Sequence, residues 1–150
     1  MNNKITSQRF TTFFPIIWLV IATITAFLLF FDFGYGYLFP VILCSLLIII
    51  TLLYGIGGFY YVDINVDNSV LNLKNYNLFP LGRKYKMYRI PINRLSNVKV
   101  KKYLGGLFSF INIYERSKKG ESKYPAVGIS AMTASQRKQL ITSIRSLLKE

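Results

Sequence analysis

The chain has 150 residues and a formal net charge of +13, from 19 Lys and Arg against 6 Asp and Glu. It has no histidine and one cysteine, Cys44. Histidine-based triads, histidine metal sites, imidazole switching near neutral pH and any intramolecular disulfide are therefore excluded.

Residues 1–12 are short and polar, with Lys4 and Arg9 as their cations. Between Phe10 and Val62 the only charged residue is Asp32. Two apolar runs of 19 residues, Phe13–Phe31 and Leu38–Ile56, lie on either side of it. Each is close to the roughly 20 residues that cross a hydrocarbon core as a helix. The first run is longer than a signal-peptide core and no A-x-A site follows, so it reads as a retained helix. Pro15 is expected in its first turn, where the missing N–H costs little, and Trp18 suits an interfacial anchor. Ala22 and Ala26 form a small-xxx-small pair, the candidate helix-packing residues. Asp32–Tyr37 supplies a tight connection, and Pro40 opens the second helix as Pro15 opens the first. Cys44 reads as a small packing residue, in lipid or against the other helix. Lys and Arg are absent from the connection and present on both outer flanks. That asymmetry predicts a multi-pass protein of the cell (inner) membrane with both termini in the cytoplasm. Gly55, Gly57 and Gly58 are expected to end the hairpin and to act as a short hinge.

From Phe59 the hydrophobic period changes to two, which marks the start of a cytoplasmic domain over 58–150. Tyr60, Val62, Ile64 and Val66 alternate with Tyr61, Asp63 and Asn65. Asp67-Asn68 then joins them to Val70, Leu71 and Leu73 as a hairpin. Leu78–Gly82 reads as a turn region. A third strand is expected over Arg83–Ile90, stopped by Pro91. A fourth is expected over Leu95–Tyr103, with Val98 and Val100 inward and Lys99 and Lys101 outward. A fifth runs from Phe108 to Glu115, and Ser117–Gly120 makes a turn. A sixth, Glu121–Ile129, is weakened by Pro125 and Gly128, which suggests an edge or a bend. Thr133 with Gln136 is a capping-box pattern opening a helix over about 134–149. Its stripe of Leu140, Ile141, Ile144, Leu147 and Leu148 is expected to cover the open side of the sheet; lying in a lipid interface is the alternative.

The order of these elements resembles the membrane-anchored bacterial proteins that carry a pleckstrin-homology-like (PH-like) domain. The resemblance rests on Arg89-Ile90-Pro91-Ile92 with Leu95 and Val98, then Gly106-Leu107-Phe108 before Ile111 and Ile113, then Leu140, Ile144 and Leu147. It covers Tyr60–Leu148, and the hairpin in front adds to it. The resemblance implies an α+β membrane protein: a two-helix transmembrane hairpin, then a PH-like antiparallel barrel or sheet capped by an amphipathic helix. The family's activities are mostly unassigned. The phosphoinositide-reading PH domains of eukaryotes place basic residues around the first hairpin loop. Here that loop, Val66-Asp67-Asn68-Ser69, is short and acidic, which argues against specific inositol-phosphate readout.

Catalysis needs a positioned acid, base, nucleophile or metal. The domain offers Asp63, Asp67, Glu115, Glu121 and Glu150. Asp63 and Asp67 stand four apart at a hairpin, a spacing that reads as turn solvation rather than a carboxylate pair. The expectation is a protein that is not an enzyme and takes no cofactor or metal. The candidate partner surface is basic and aromatic: Arg83, Lys84, Lys86, Arg89, Lys99, Lys101, Lys102 and Tyr103. Such interleaving suits anionic headgroups and also single-stranded nucleic acid; a membrane tether removes nucleic acid from the expected partners. The alternative is that these cations are the positive-inside topology signal and nothing more. Two functions follow as expectations. One is a docking or scaffolding module that meets a protein partner or a second copy, including as an accessory subunit of a larger membrane complex. The alternative is a binder of anionic lipid headgroups. No small-molecule substrate is evident.

Overall fold

A computed structural model describes residues 1–31, 36–80, 83–117 and 120–148. Two helices, α1 (Lys4–Phe30) and α2 (Leu38–Ile56), precede seven strands and a closing helix. The strands are β1 (Tyr60–Asp67), β2 (Val70–Asn77), β3 (Lys86–Pro91), β4 (Leu95–Tyr103), β5 (Phe108–Ser117), β6 (Gly120–Lys123) and β7 (Val127–Gly128). The closing helix is α3 (Ala134–Ser146).

Both α1 and α2 are long and apolar enough to cross a membrane. Only 6% and 11% of their most apolar windows are buried, so neither is the core helix of a globular fold. Leu19, Leu38, Ile48 and Ile56 are each more than 60% exposed. Four hydroxyls along the apolar parts of these helices are satisfied by their own backbone. The hydroxyls of Thr23, Thr25, Ser45 and Thr51 donate to carbonyls four residues earlier, at 2.7–2.9 Å.

Helix α1 differs from expectation at its start. It begins at Lys4, not Phe13, so Pro15 lies inside it rather than in its first turn. The preceding residues explain this. Asn3 is 1% exposed; its side chain donates to the Tyr60 carbonyl at 2.9 Å and accepts from the Val62 N–H at 2.8 Å. Asn2 bridges antiparallel to Asp63. Residues 1–3 thus add a short piece to the free edge of β1, and the helix starts where that piece ends. The packing seam also differs. Thr25 is 4% exposed while Ala26 is exposed and Ala22 half-buried. Ile21, Thr25 and Leu28 stand at i, i+4 and i+7, one less-exposed face of the helix, and on α2 Pro40, Leu43, Leu47 and Tyr54 are likewise among the less-exposed positions. Trp18 adds an inter-helix bond, its Nε1 donating to Thr51 Oγ1 at 3.1 Å. Cys44 is exposed, which leaves the lipid-facing of its two expected positions. Of the expected connection Asp32–Tyr37, residues 32–35 lie outside the described residues.

The strands form two antiparallel sheets, β1-β2-β3 and β4-β5-β6, with β7 on β5. They do not close into a barrel, a correction to the barrel form of the expected fold. The first hairpin turns on Asn68 and Ser69, with φ of 47° and 60°. Positive φ at both central residues is the geometry that matches strand twist in two-residue hairpins. β3 starts at Lys86, three residues later than expected. The expected sixth strand is split into β6 and β7 around Pro125, because proline donates no ladder hydrogen bond. Leu81, Gly82, Lys118 and Lys119 of the expected turns lie outside the described residues, as does Lys149, the last position of the expected 134–149 helix; α3 itself ends at Ser146.

Alternation places the core. Val62 and Ile64 of β1, Leu71 and Leu73 of β2, Ile90 of β3, Val98 of β4 and Ile111 and Ile113 of β5 are buried in one cluster. Each full burial of such a side chain is worth about 1.5–3 kcal/mol. α3 lays Leu140 and Ile144, each 1% exposed, on that cluster. Its start is fixed by the expected capping box: Thr133 Oγ1 accepts from the Gln136 N–H, and the Thr133 N–H donates to Gln136 Oε1 at 3.0 Å.

Candidate binding grooves at the base of the hairpin

The helices and the sheets are joined without a linker. The base of the hairpin is an aromatic junction. Phe14 stacks on Tyr54 at 3.9 Å between centroids, Tyr54 on Phe59 at 5.3 Å, and Phe10 lies 5.1 Å from Phe59. Leu78 and Ala131 are buried among them. The glycines here pack rather than flex. A side chain on Gly57 would strike the Leu53 carbonyl and the Phe108 and Phe59 rings; one on Gly128 would strike the Gly58 backbone. Gly58 sits at φ +73°. The buried Ser130 locks the contact: its hydroxyl donates to the Gly57 carbonyl at 2.7 Å and accepts from the Ser109 N–H at 2.9 Å. Asn77 Nδ2 donates to the Gly55 carbonyl at 3.1 Å. The expected hinge is therefore a rigid seam.

On one side of the seam lies a polar groove of about 800 Å³ between the first turns of α1 and the outer face of β1-β2. Register puts Tyr61 opposite Tyr76 and Asp63 opposite Lys74 on that face. Tyr61 stacks on Tyr76 at 5.0 Å between centroids, and Tyr85 lies tilted against Tyr76 at 4.5 Å. Lys4, Lys74 and Arg83 line the groove against one acid, Asp63, and Ser7, Gln8 and Thr11 complete it from α1. Ser7 is 3% exposed and its Oγ has no partner. Burial pushes the Tyr61 and Tyr76 hydroxyls above their usual pKa of 10.0; Asp63 adds to the rise at Tyr61, and Tyr85 adds to it at Tyr76. Both therefore stay protonated at neutral pH and can donate. The same face continues outward as a depression of about 500 Å³ holding Asp67, Asn72 and Arg89.

On the other side lies an apolar groove of about 730 Å³. Phe10, Phe14, Ile50, Leu53 and Phe59 form its hairpin wall, and Gly105–Phe108 and Arg137 the opposite one. Arg137 also lines a neighbouring cleft of about 440 Å³, with Lys102, Lys138 and Arg145.

The basic residues singled out in the sequence do not form one surface. Arg83 is in the polar groove and Arg89 in its outward extension. Lys86 pairs with Asn75 and Arg89 with Asn72, on opposite faces of β3. Lys84 is exposed ahead of β3. Lys99 and Lys101 share a face of β4 with Tyr103, whose ring meets Phe110 at 5.8 Å; Lys99 also sits over the Tyr114 ring. Lys102 is on the reverse face, beside α3. Lys4, Lys74, Ser7 and Arg137 were not singled out. Strand register from Tyr61 would have found Lys74; the others come from packing of distant segments. The remaining described acids are bound locally. Glu115 accepts from the Tyr124 hydroxyl and lies 3.7 Å from Arg94, and Glu121 accepts from Ser96 at 2.6 Å.

No family model, curated protein or solved structure matches this chain.

Proposed function

We propose that this chain is an integral membrane protein that works by binding rather than catalysis, and that its β domain holds anionic lipid headgroups at the cytoplasmic leaflet. In this reading α1 from about Phe13, together with α2, spans the bilayer, and residues 58–150 form the cytoplasmic domain. The bare apolar surface of both helices and the Lys/Arg asymmetry support it. The PH-like resemblance is consistent with antiparallel strands followed by a capping helix, and departs from an open pair of sheets.

One observation carries the headgroup reading. The polar groove is fixed at the base of the hairpin, where a headgroup layer would lie, and is lined by three cations, one acid and protonated tyrosines. A basic side chain beside an anionic leaflet contributes about 1 kcal/mol. Protein docking by strand addition has less support. Among the described residues β4 pairs only with β5, leaving one edge open. That edge carries Lys99, Lys101 and Lys102 and a bulge between Leu95 and Asn97, devices that discourage a further strand.

The test is hydrogen exchange on the full chain in nanodiscs of phosphatidylcholine, with and without phosphatidylglycerol. Anionic lipid should slow exchange in β1, β2 and residues 83–85, and about 0.5 M salt should reverse this, since screening then acts within a few ångströms. Lys74→Gln with Arg83→Gln should remove the protection. Equal exchange in both lipids would defeat the headgroup reading.

A further inference from the structure

We infer that the opposite side of the seam holds one anionic lipid molecule, with an acyl chain in the apolar groove and its phosphate in the adjoining cationic cleft, Arg137 standing between them. The inference rests on the reading of the hairpin as membrane-spanning. It uses a site separate from the polar groove.

The two cavities have complementary chemistry and share a residue. The apolar groove takes part of its wall from Ile50 and Leu53, on the last two turns of α2, so it opens onto the surface that would face hydrocarbon. Its far lip is the loop after β4, where Leu104 is 63% and Leu107 71% exposed. Exposed leucines flanking a groove continuous with a membrane helix point to an apolar chain arriving from the bilayer. The cleft is the opposite case: four cations, Lys102, Arg137, Lys138 and Arg145, with Ser109 and Thr142, and no acid in its lining. Arg137 Nη1 donates to Ser109 Oγ at 3.0 Å and to the Gly106 carbonyl at 3.4 Å. No carboxylate pairs with it: among the described residues the one ion pair is Arg94–Glu115. Its Nε is buried without a partner. A half-buried guanidinium with only neutral acceptors is under-compensated, and a phosphate would supply the missing charge. A free anion would satisfy the cleft and leave the apolar groove bare. An amphiphile satisfies both.

The test is native mass spectrometry of the full chain in neutral detergent, titrated with phosphatidylglycerol, phosphatidylcholine or inorganic phosphate. One phosphatidylglycerol should be retained about tenfold more tightly than phosphatidylcholine, the weight of a charge-assisted contact. Lys102→Gln with Arg145→Gln, both exposed and dispensable for the core, should bring phosphatidylglycerol down to the phosphatidylcholine level. Leu53→Trp, which fills the groove, should weaken both lipids. Equal retention of the two lipids would overturn the inference. So would insensitivity to the Lys102/Arg145 change, or displacement of phosphatidylglycerol by inorganic phosphate alone. Lys74→Gln with Arg83→Gln should leave the adduct intact. If that pair abolishes it instead, the lipid sits in the polar groove, and this inference fails while the headgroup reading stands.

Discussion

Two seams fasten the hairpin to the sheets, and they are built in opposite ways. The α1 seam is made by hydrogen bonds: residues 1–3 pair through their backbone with the free edge of β1, and the buried Asn3 side chain bridges Tyr60 and Val62. The α2 seam is made by side chains that are absent: Gly57, Gly58 and Gly128 let backbone meet backbone, and Ser130 pins the contact. The first seam is directional and replaceable in part, because water and neighbouring groups can take over lost hydrogen bonds. The second is a matter of excluded volume, and a single added carbon has nowhere to go.

That contrast sets the order of expected effects. Gly128→Val should be the most damaging change, because the new side chain meets the Gly58 backbone, which cannot rotate away. A loss of about 3 kcal/mol, the upper end for overpacking, should appear as a lower melting temperature of the full chain in detergent. A melting curve unchanged by this substitution would break the comparison. Asn3→Ala should cost less, about 2 kcal/mol for two buried backbone groups left unpaired. Its signature is local: faster hydrogen exchange in β1, with β5 and α3 unaffected. Thr133→Ala, away from both seams, removes one side of the capping box and should cost about 1 kcal/mol. It provides the baseline against which either seam variant counts as large.

The smallest effect is one of pH. Burial, then the bond to Glu115, pushes the Tyr124 hydroxyl up to about 12. A group whose pKa is raised on folding adds stability that is whole below its unfolded value and lost as pH rises through the folded one. The domain should therefore lose stability between pH 10 and about 12, and Tyr124→Phe should lose less over that interval. The measurement is urea unfolding at pH 9 and pH 11 for both proteins. An identical drop would remove Tyr124 from the account.

The elements of the domain were legible because period and punctuation agree there. The span Leu95–Tyr103, the split near Pro125 and the Thr133 cap each follow from a local rule that tertiary packing did not override. The seams were not legible, for a physical reason. Asn3 looks like a solvated polar residue until β1 is known to have a free edge beside it. A Gly55–Gly58 cluster reads equally as slack or as close packing, and only Gly128, some seventy positions later, decides between them. The buried position on this part of α1 is Thr25 rather than Ala22 or Ala26, because threonine fits a seam as well when its hydroxyl is spent on its own helix. The basic residues were legible as a charge and not as a site. Alternation sends Lys101 and Lys102 to opposite faces, and the grooves depend on where α1 and α3 come to rest.

The 27-residue α1 is a rod about 40 Å long at 1.5 Å per residue, and its first turns run alongside the sheets. With both helices bonded to the domain at their bases, no slack joint separates rod from payload. A tilt of the hairpin is then a tilt of the whole molecule. A change in bilayer thickness or lateral pressure that leans the helices by 10–20°, an ordinary excursion for membrane helices, would swing the far hairpin at Asn68 by several ångströms toward or away from the surface. If the helices span a bilayer as proposed, the molecule is in effect a lever with its fulcrum at Gly58, and the mechanical state of that bilayer would set how closely the domain's outer face approaches it.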